Sequence, residues 1–295
     1  MMSKNIKTAL ISFGLAVACI LAAILYSTDK LDDFAAYFGV SDKCPYNYVR
    51  FIDVGQGDCT LIHSNDKYVL IDAGCNDDNG LRLSEKLREY DVKRIDCIIV
   101  SHDDDDHAGG VYKIIEDFDV EAVVCSKYSF IDKESNMYKV LDIAERRNTE
   151  ILNAKAGDKL FFGDAEFKFL WIDEQTQSDN NRSLVTRVTL DGKIFFFGGD
   201  INSTVEKRMI ESGIDVKCDI LKAAHHGSAW STSEEFLDKA RPTYCVVSCS
   251  DDNLYGFPSE TFLSRIHDRD IILYATYLDG DITFNTSDIK IYTKK

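Results

Sequence analysis

The chain has 295 residues, of which 45% are hydrophobic and 11% aromatic, and its formal net charge is −16. This composition is sufficient to bury the core of a large domain, which excludes an intrinsically disordered protein. The acidic balance disfavours long-range attraction of a polyanion such as nucleic acid, except where a local basic patch or a bound cation reverses the charge.

The first predicted element is an uncharged run at residues 8–27, TALISFGLAVACILAAILYS, which follows Lys4 and Lys7. Its length matches the ~20 residues that a helix needs to cross a bilayer and exceeds the apolar core of a cleaved signal peptide. We therefore predict a transmembrane anchor at residues 1–27 and a linker at 28–47. The lysines favour a cytoplasmic N-terminus, so the rest of the chain is expected on the extracytoplasmic side of the membrane.

Short β-rich segments open the domain that we predict at residues 48–295. Three of them, YVRFIDV, DCTLIHS and KYVLIDAG, are separated by turn residues and indicate a strand meander. The pattern then changes to predicted helices near 81–90, after 109 and near 136–148, which alternate with the apolar strands DCIIVS and EAVVCS. This alternation is typical of α/β units.

The second half of the domain repeats this order of elements. The strand-like segments AEFKFLW, SLVTRVTL and KIFFFGG come first. Predicted helices near 203–212, in TSEEFLDKA and in SETFLSRIHDR then alternate with the strands CDILKAA, TYCVVS and IILYAT, and DITFN and IKIYTK end the chain. Two sheets covered by helices on their outer faces would give a four-layer αββα sandwich, which is the α/β fold class that we predict.

Four loops follow apolar strands and carry acidic, imidazole or amide groups, a position where a rigid scaffold presents chemistry. They are VSHDDDDHAGG at 100–110, NNRSLV at 180–185, FFGGD at 196–200 and LKAAHHGS at 221–228. The four adjacent aspartates of the first loop repel one another, so they are either solvated or neutralised by a bound cation.

The spacing of the first loop favours a pair of cations. His102 and Asp104, two residues apart in an extended segment, point to the same side and can share one cation. Asp106 and His107, which precede a tight turn, can bind a second one. Two divalent ions about 3.5–4 Å apart need a bridging carboxylate, and Asp200 is the natural candidate.

His225 or His226 completes the second metal site in this interpretation. Each motif alone has a simpler interpretation, since HDDDDH resembles an acidic surface run, HHGS an ordinary loop and FFGGD a turn. All three occur in one chain with six histidines, four of which lie in these loops. Their joint occurrence favours a metal site.

The motifs VGQGDCTLI, VLIDAG, SHDDDDHAGG, FFGGD and LKAAHHGS, in this order, resemble the metallo-β-lactamase-fold hydrolases. The similarity is to the branch that contains the extracytoplasmic domain of the competence protein ComEC and its stand-alone relatives, and it covers residues 48–295. In the wider superfamily the metal loop reads His-x-His-x-Asp-His. Here aspartate takes the second position, as it does in the ComEC branch.

The resemblance implies metal ligands in three of the loops, with a bridging carboxylate in the third: His102, Asp104, Asp106, His107, Asp200 and, at a strand end, His225. It implies that His226 is an alternative ligand or a substrate contact, and that Asp72 orients a ligand. Gln56 and Asp58 are expected at the rim of the cleft.

The sequence also departs from the family pattern. No histidine lies between residues 107 and 225, so Asn181 or Ser183 would be a weak ligand and the first metal would bind loosely. The Tyr-Gly-His-Pro motif of ComEC-like proteins reads YGFP here, with Phe257 in the place of the histidine, and ATY stands at 275–277 where the family has Arg-Thr-Asp.

We expect a hydrolase that uses a metal-bound hydroxide, with two divalent ions that lower the pKa of the bound water. The histidine and carboxylate ligands suit zinc and also accommodate manganese. The expected substrate is a phosphodiester, either nucleic acid, as for a nuclease, or a small or envelope phosphodiester. Asp106, His226 and Lys222 are the candidate catalytic residues, the last two as phosphate contacts.

Three other functions stay open. One is a DNA-uptake accessory that binds DNA without cutting it, which the absence of an extended basic stripe in the sequence disfavours. The same metals could open another ester class, such as a lactone, β-lactam or thioester. Alternatively, the domain is a non-catalytic, membrane-anchored binding module in which the metals stabilise the fold and the substitution at Phe257 marks lost activity. The sequence implies the membrane and an ester substrate as partners and does not imply a protein partner.

Overall fold

The structure is a computed structural model that describes residues 46–75, 81–130 and 135–295. The predicted anchor at 1–27 and nearly all of the predicted linker at 28–47 lie outside the described residues. Within the part that the structure describes, no helix combines the length and the apolar character that a membrane span requires.

Fifteen strands occur in the described residues, each built from β-branched or aromatic side chains. In chain order they are β1 (Tyr48–Phe51), β2 (Thr60–Ser64), β3 (Lys67–Ile71), β4 (Arg94–Ile99), β5 (Asp119–Cys125), β6 (Glu150–Asn153), β7 (Lys159–Phe162), β8 (Ala165–Trp171), β9 (Val185–Leu190), β10 (Lys193–Phe197), β11 (Ile220–Lys222), β12 (Tyr244–Val247), β13 (Ile272–Ala275), β14 (Asp281–Asn285) and β15 (Ile291–Lys294).

Eight α-helices connect these strands over the same described ranges. They are α1 (Leu81–Glu89), α2 (Asp105–Ala108), α3 (Val111–Asp117), α4 (Asn136–Arg147), α5 (Ser203–Glu211), α6 (Glu234–Ala240), α7 (Glu260–His267) and α8 (Thr276–Asp279). Helices α4, α5, α6 and α7 begin after Ser or Asn residues whose side chains accept hydrogen bonds from the first free backbone N–H groups.

The strands form two sheets. The first has the order β15-β14-β1-β2-β3-β4-β5-β6 and the second the order β13-β12-β11-β10-β9-β8-β7. Within the first sheet β3 to β6 are parallel, and within the second β10 to β13 are parallel. The parallel strands of each sheet therefore carry their carboxyl ends to one edge, where loops can converge.

The two C-terminal strands belong to the first sheet, although they follow the second half of the domain in sequence. Tyr48 of β1 pairs with Asn285 of β14 in antiparallel register, and β15 continues the sheet beyond β14. The order of elements suggested two equivalent halves, and this crossover makes the sheets unequal, with eight and seven strands.

Helices cover the outer face of the second sheet. Val205 of α5, Phe236 of α6 and Phe262 of α7 are fully buried in one apolar cluster with strand residues such as Phe196 and Cys245. Helices α1, α3 and α4, in the first half of the domain, pack side by side. The predicted α/β sandwich of two sheets is thus confirmed.

The two inner faces meet in a core rich in phenylalanine. Phe284 of the first sheet is completely buried, and its ring centroid lies 5.9 Å from that of Phe51 in the same sheet. Three rings of the second sheet surround it, with centroids 6.1 Å away for Phe195, 5.6 Å for Tyr244 and 6.1 Å for Tyr274. Edge-on packing of these rings fixes the spacing of the two sheets.

We predict that Phe284→Ala lowers the free energy of unfolding by about 3–5 kcal/mol, since it removes a buried ring and leaves a cavity between the sheets. Urea denaturation followed by circular dichroism measures this change. Phe161→Ala is the matched control, because that ring is 65% exposed. The control is expected to change stability by less than about 0.5 kcal/mol. Equal effects of the two substitutions would contradict this role of Phe284.

Candidate metal centre

The acidic and imidazole loops converge at the carboxyl ends of the parallel strands. Asp72 follows β3, His102 follows β4, Asp200 follows β10 and His225 follows β11. The backbone N–H of Leu184 donates to the carbonyl of Ser101 at 2.8 Å, which joins the loops of the two sheets directly. The site is therefore built from both sheets.

His107 lies at the centre of the site and is completely buried. Its Nδ1 donates to Oδ2 of Asp72 at 2.8 Å, and the same carboxylate accepts hydrogen bonds from the backbone N–H and the hydroxyl of Ser101. This arrangement directs the other ring nitrogen, Nε2, into the site. The structure thus places Asp72 where it orients an imidazole, the function that the family resemblance implies for it.

Asp200 faces three imidazoles. Its Oδ1 lies 3.2 Å from Nε2 of His107, and its Oδ2 lies 3.6 Å from Nε2 of His226 and 3.7 Å from Nε2 of His225. Gly199 before it has φ +57°, and a Cβ there would lie 2.5 Å from Oγ of Ser183. Glycine is required at position 199 for two reasons: the backbone there is left-handed, and a side chain would overlap the hydroxyl of Ser183.

Of the two histidines in LKAAHHGS, the geometry favours His226, the alternative ligand, over His225, the strand-end ligand that the family resemblance implies. Both have left-handed backbone angles, with φ 51° and 52°, and Gly227 continues the turn with φ 78°. The turn buries the ring of His226, whose Nδ1 donates to the carbonyl of Ser248 at 2.8 Å, while the ring of His225 is 31% exposed. His226 is therefore the inward-facing imidazole, and His225 lies at the edge of the site.

Asp58 is buried inside the site rather than at the rim of the cleft. Its Oδ2 accepts a hydrogen bond from Nζ of Lys222 at 2.7 Å, and its Oδ1 lies 3.3 Å from Nδ1 of His226. Gly57 allows this approach, because a Cβ there would lie 2.4 Å from the carbonyl oxygen of Asp106. The expectation of a rim position fails because the DVGQGD loop packs directly on the metal loop.

Lys222 is not positioned to contact a substrate. Its side chain is only 4% exposed, and its ammonium donates to Asp58 and to the carbonyl of Ala223. A buried ammonium needs such partners, since an unpaired charge in the interior is costly. The structure therefore assigns Lys222 to neutralising Asp58, in place of the phosphate contact expected from the sequence.

The remaining carboxylates of the metal loop lie nearer the surface. Oδ2 of Asp104 lies 3.6 Å from Nε2 of His102 and is part of a side chain that is 39% exposed. Oδ2 of Asp106 lies 3.1 Å from Nε2 of His226. The structure thus brings both carboxylates to the imidazoles, from the solvent side.

The weak ligands expected from the sequence differ in position. Oγ of Ser183 lies 3.4 Å from Nδ1 of His102 and accepts from the backbone N–H of Asp200. Asn181 instead accepts a hydrogen bond from the backbone of Asn202, at the start of α5. Gln56 accepts weakly, at 3.5 Å, from the backbone N–H of Ser250. Ser183 thus contacts an imidazole, whereas the hydrogen bonds that the structure gives to the two amides are with backbone groups of other loops.

The donor atoms of the site fit a metal ion. Five buried nitrogen and oxygen atoms converge there without a hydrogen-bond partner in the described part of the chain: Oδ1 of Asp58, Nε2 of His102, Nε2 of His107, Oδ1 of Asp200 and Nε2 of His226. Such atoms are costly to bury unless a ligand or ion satisfies them.

These residues form two overlapping groups that share His107. One group contains His102, His107 and Asp200, and the other contains Asp58, His107 and His226, with ligand atoms within 4.8 Å of one another in each. Imidazole nitrogens and carboxylate oxygens are suitable donors for a divalent transition metal. Because His107 has one free nitrogen, two adjacent cations would share Asp200, whose two oxygens face His107 and His226.

The electrostatics favour a cation as well. Burial raises the pKa of Asp200, but the imidazoles of His107 and His226 outweigh it and hold that pKa well below its usual range. Burial lowers the pKa of His226, but Asp200 and Asp58 outweigh it and raise that pKa to about 10. The carboxylates thus remain ionised and attract positive charge, whether from protons on the imidazoles or from a metal that displaces them.

Sequence reasoning missed Arg182, which lines a small cleft together with His102 and Tyr128. Its guanidinium lies over the Tyr128 ring, 5.0 Å from the centroid, and its Nε donates to the carbonyl of Thr176 at 2.9 Å. Its position directly before Ser183 in NNRSLV was the available signal. Arg182 places a guanidinium beside the site, where Lys222 does not, and its ion pair with Asp179 is long, at 3.5 Å, and exposed.

Phe257 forms an aromatic wall at the other side of the site. Its ring centroid lies 5.5 Å from that of His225 and 6.1 Å from that of His226. Tyr255, which is 70% exposed, stacks on Phe257 at 5.5 Å. The side chain at position 257 therefore lies beside the imidazoles, so its identity bears directly on the chemistry of the site.

Comparisons with known proteins agree with this geometry. The family model of the metallo-beta-lactamase superfamily matches residues 52–250. The chain is 29% identical to ComE operon protein 3 of Bacillus subtilis, over 80% of this chain and 32% of that protein. It is 26% identical to the competence protein ComA of Neisseria gonorrhoeae, over 79% of this chain and 31% of that protein. The chain thus spans about a third of the length of these curated relatives.

A solved structure shows the same fold. Igni18, described as a novel metallo hydrolase from the archaeon Ignicoccus hospitalis, superimposes with a TM-score of 0.54 over 80% of this chain and 98% of that chain. The two sequences are 12% identical, so the likeness concerns the fold alone.

We predict that Asp72→Asn weakens zinc binding by about 10-fold to 100-fold, because the amide no longer supplies the negative charge that orients and polarises His107. Competition with a chromogenic chelator measures the affinity. Asp105→Asn is the matched control: it removes one charge from an exposed carboxylate of the same loop and is expected to leave the affinity nearly unchanged. Equal losses in both variants would show a general charge effect and contradict a specific role for Asp72.

Proposed function

Because the chain belongs to the metallo-β-lactamase superfamily, we propose that it is a divalent-metal-dependent hydrolase that cleaves phosphodiesters. The observation that carries the proposal is the convergence of five unpartnered donor atoms on one buried point at the strand ends, counted over the described residues. A carboxylate between two sets of donors is the arrangement that a two-metal hydrolase requires, and Asp200 faces His107 with Oδ1 and His226 with Oδ2.

Bound cations would supply Lewis acidity, which makes water a nucleophile near neutral pH and neutralises charge on phosphoryl oxygens. Nε2 of His107 would bind one ion only, because its Nδ1 donates to Asp72, and His102 would join it. Asp58 and His226 would bind the other ion, and Asp200, whose Oδ1 faces His107 and whose Oδ2 faces His226, would bridge the two. Asp104 and Asp106 would complete the two sites from the solvent side. Asp72 fixes the ring of His107, and Lys222 neutralises Asp58. The imidazole and carboxylate donors support zinc, and manganese is the second candidate.

Arg182 supports a phosphodiester over the other ester classes. Its guanidinium lines the same cleft as His102, and a planar guanidinium matches the oxygens of a phosphate group. A lactone, β-lactam or thioester carries no such anionic group at the reacting centre. We therefore assign to Arg182 the phosphate contact that the sequence suggested for Lys222.

Two arguments about the class of phosphodiester substrate oppose each other. Similarity to competence proteins supports nucleic acid as the substrate, whereas the net charge of −16 supports a smaller or envelope phosphodiester. If a protein with this net charge is a nuclease, bound metal ions and Arg182 must make the potential at the site positive. We propose nucleic acid as the first substrate to test.

We further propose that residues 1–27 anchor the protein in the membrane and that residues 28–47 connect the anchor to the hydrolase domain at 48–295. The apolar run at 8–27 and the two lysines before it support a single-pass anchor with a cytoplasmic N-terminus. The hydrolase domain would then act on the extracytoplasmic side.

We predict that the full chain, purified in detergent and loaded with zinc or manganese, hydrolyses bis-p-nitrophenyl phosphate. Asp106→Asn and His107→Gln are expected to lower kcat/KM by at least about 100-fold, because each removes a donor from the metal centre. Asp105→Asn provides the control for charge in the same loop. If a chain shown by metal analysis to hold its ions turns over no phosphodiester, the phosphodiesterase proposal is wrong and other esters become the substrates to test.

Phe257→His tests the alternative of a non-catalytic module. A histidine at this position would lie beside His225 and His226, and a positioned proton donor contributes roughly 10²–10⁴-fold to catalysis. We expect the wild-type chain to be active and Phe257→His to raise kcat about 10-fold or more. Phe257→Leu is the matched control for loss of the ring. Activity that appears only in Phe257→His would instead support the non-catalytic module.

A further inference from the structure

A second candidate binding site lies on the outer face of the second sheet. It is a groove of about 540 Å³, and none of the residues of the candidate metal centre lines it. Its walls come from Lys168 and Trp171 of β8, from Arg187 of β9, and from Ile214 and the exposed Asp215 after α5. This volume is within the range of small-molecule sites, roughly 300–1,000 Å³.

We propose that this groove binds a compact organic anion in which a phosphate is joined to a planar aromatic ring, as in a mononucleotide. The proposal is independent of the hydrolase function, because it concerns different residues. It depends on three observations. Two cationic side chains lie opposite each other on neighbouring strands, and a β-bulge turns a tryptophan toward them. Two buried N–H groups in the same walls have no hydrogen-bond partner among the described residues.

The cations lie in direct cross-strand register. Lys168 of β8 pairs with Arg187 of β9, and Lys159 of β7 pairs with Lys168 from the other side. Side chains opposite each other in antiparallel strands share one face, and like charges there destabilise the sheet. Such a row in a chain of net charge −16 is a local reversal of charge, which an anionic ligand would compensate.

The cations are incompletely neutralised within the protein. Lys159 has an ion pair with Glu166 at 2.9 Å, but Lys168 has no hydrogen bond or ion pair with any described residue. Arg187 contacts Asp215 at a long 3.4 Å, and that carboxylate is 73% exposed. The acceptor on Arg187 is thus weak and solvated, so a phosphate can replace it.

A β-bulge brings the tryptophan to the cationic face. The register between β8 and β9 shifts between Phe169 and Trp171, so that Trp171 pairs with Val185. Phe169 packs in the core between the sheets, whereas Leu170 packs on the outer side, and Trp171 joins it there. Strict alternation would turn Trp171 inward; the extra residue turns it outward, beside Lys168 and Arg187.

The groove also contains hydrogen-bond donors in need of an acceptor. Nε1 of Trp171 and Nε of Arg187 are both buried and have no partner among the described residues. A buried unsatisfied donor costs about 1–3 kcal/mol. An arginine fork matches the oxygens of a phosphate, and the indole offers a surface on which a base can stack. Phosphate and ring in one ligand satisfy both features.

The chain offers a direct probe, because it has two tryptophans, Trp171 and Trp230. In Trp230→Phe, Trp171 is the sole tryptophan, and its fluorescence reports on the groove. We expect adenosine monophosphate, added to the metal-free full chain in detergent with a chelator, to quench this fluorescence saturably. Adenosine and inorganic phosphate alone are expected to bind at least about 10-fold more weakly, since each satisfies half of the site.

Lys168→Gln in the Trp230→Phe background is expected to raise the Kd for adenosine monophosphate about 10-fold, and Lys139→Gln, an exposed lysine of α4, provides the control with the same charge change. Unsaturable quenching, equal Kd values for the two lysine variants, or equal binding of adenosine would overturn the proposal. The assay contains no metal and measures no hydrolysis, so its outcome is separate from that of the phosphodiesterase test.

Discussion

The structure depends on one constraint: carboxylates and imidazoles are buried together at a single point and must be satisfied there. Burying an unpaired ion costs several kcal/mol even after relaxation. Asp58, Asp72 and Asp200 are all at most 5% exposed, and each faces an imidazole or an ammonium. The loops that carry these groups come from both sheets. The two sheets must therefore pack with their strand ends side by side for the site to form.

Several residues of the site have unfavourable backbone angles, which bring their side chains together. Left-handed angles at Asp72, His225 and His226 are unfavourable for residues with a Cβ, although aspartate tolerates them better than most. Gly57 and Gly199 stand where a Cβ would overlap a neighbouring loop. The packed aromatic core between the two sheets offsets these local costs, so the fold as a whole can remain stable.

The sequence predicted the strand-end loops correctly, because apolar strands followed by charged residues are a local signal. It missed β6 and β7, whose residues are exposed or half-exposed and whose apolar runs are only two and three residues long. The choice between His225 and His226 was not available from spacing, since it depends on two left-handed backbone angles. The burial of Lys222 depends on a partner 164 residues away in the chain, which no local pattern contains.

Binding of an anion to a protein with a net charge of −16 requires a local reversal of charge, and the proposals above place such a reversal at two positions. At the metal centre, the carboxylates create the negative potential and a bound cation would invert it. In the outer groove the inversion is built from the chain itself, where Lys168 and Arg187 oppose each other without full neutralisation. The first mechanism depends on metal supply and the second does not. Binding of an anion in the proposed groove is therefore expected to be independent of metal in the centre.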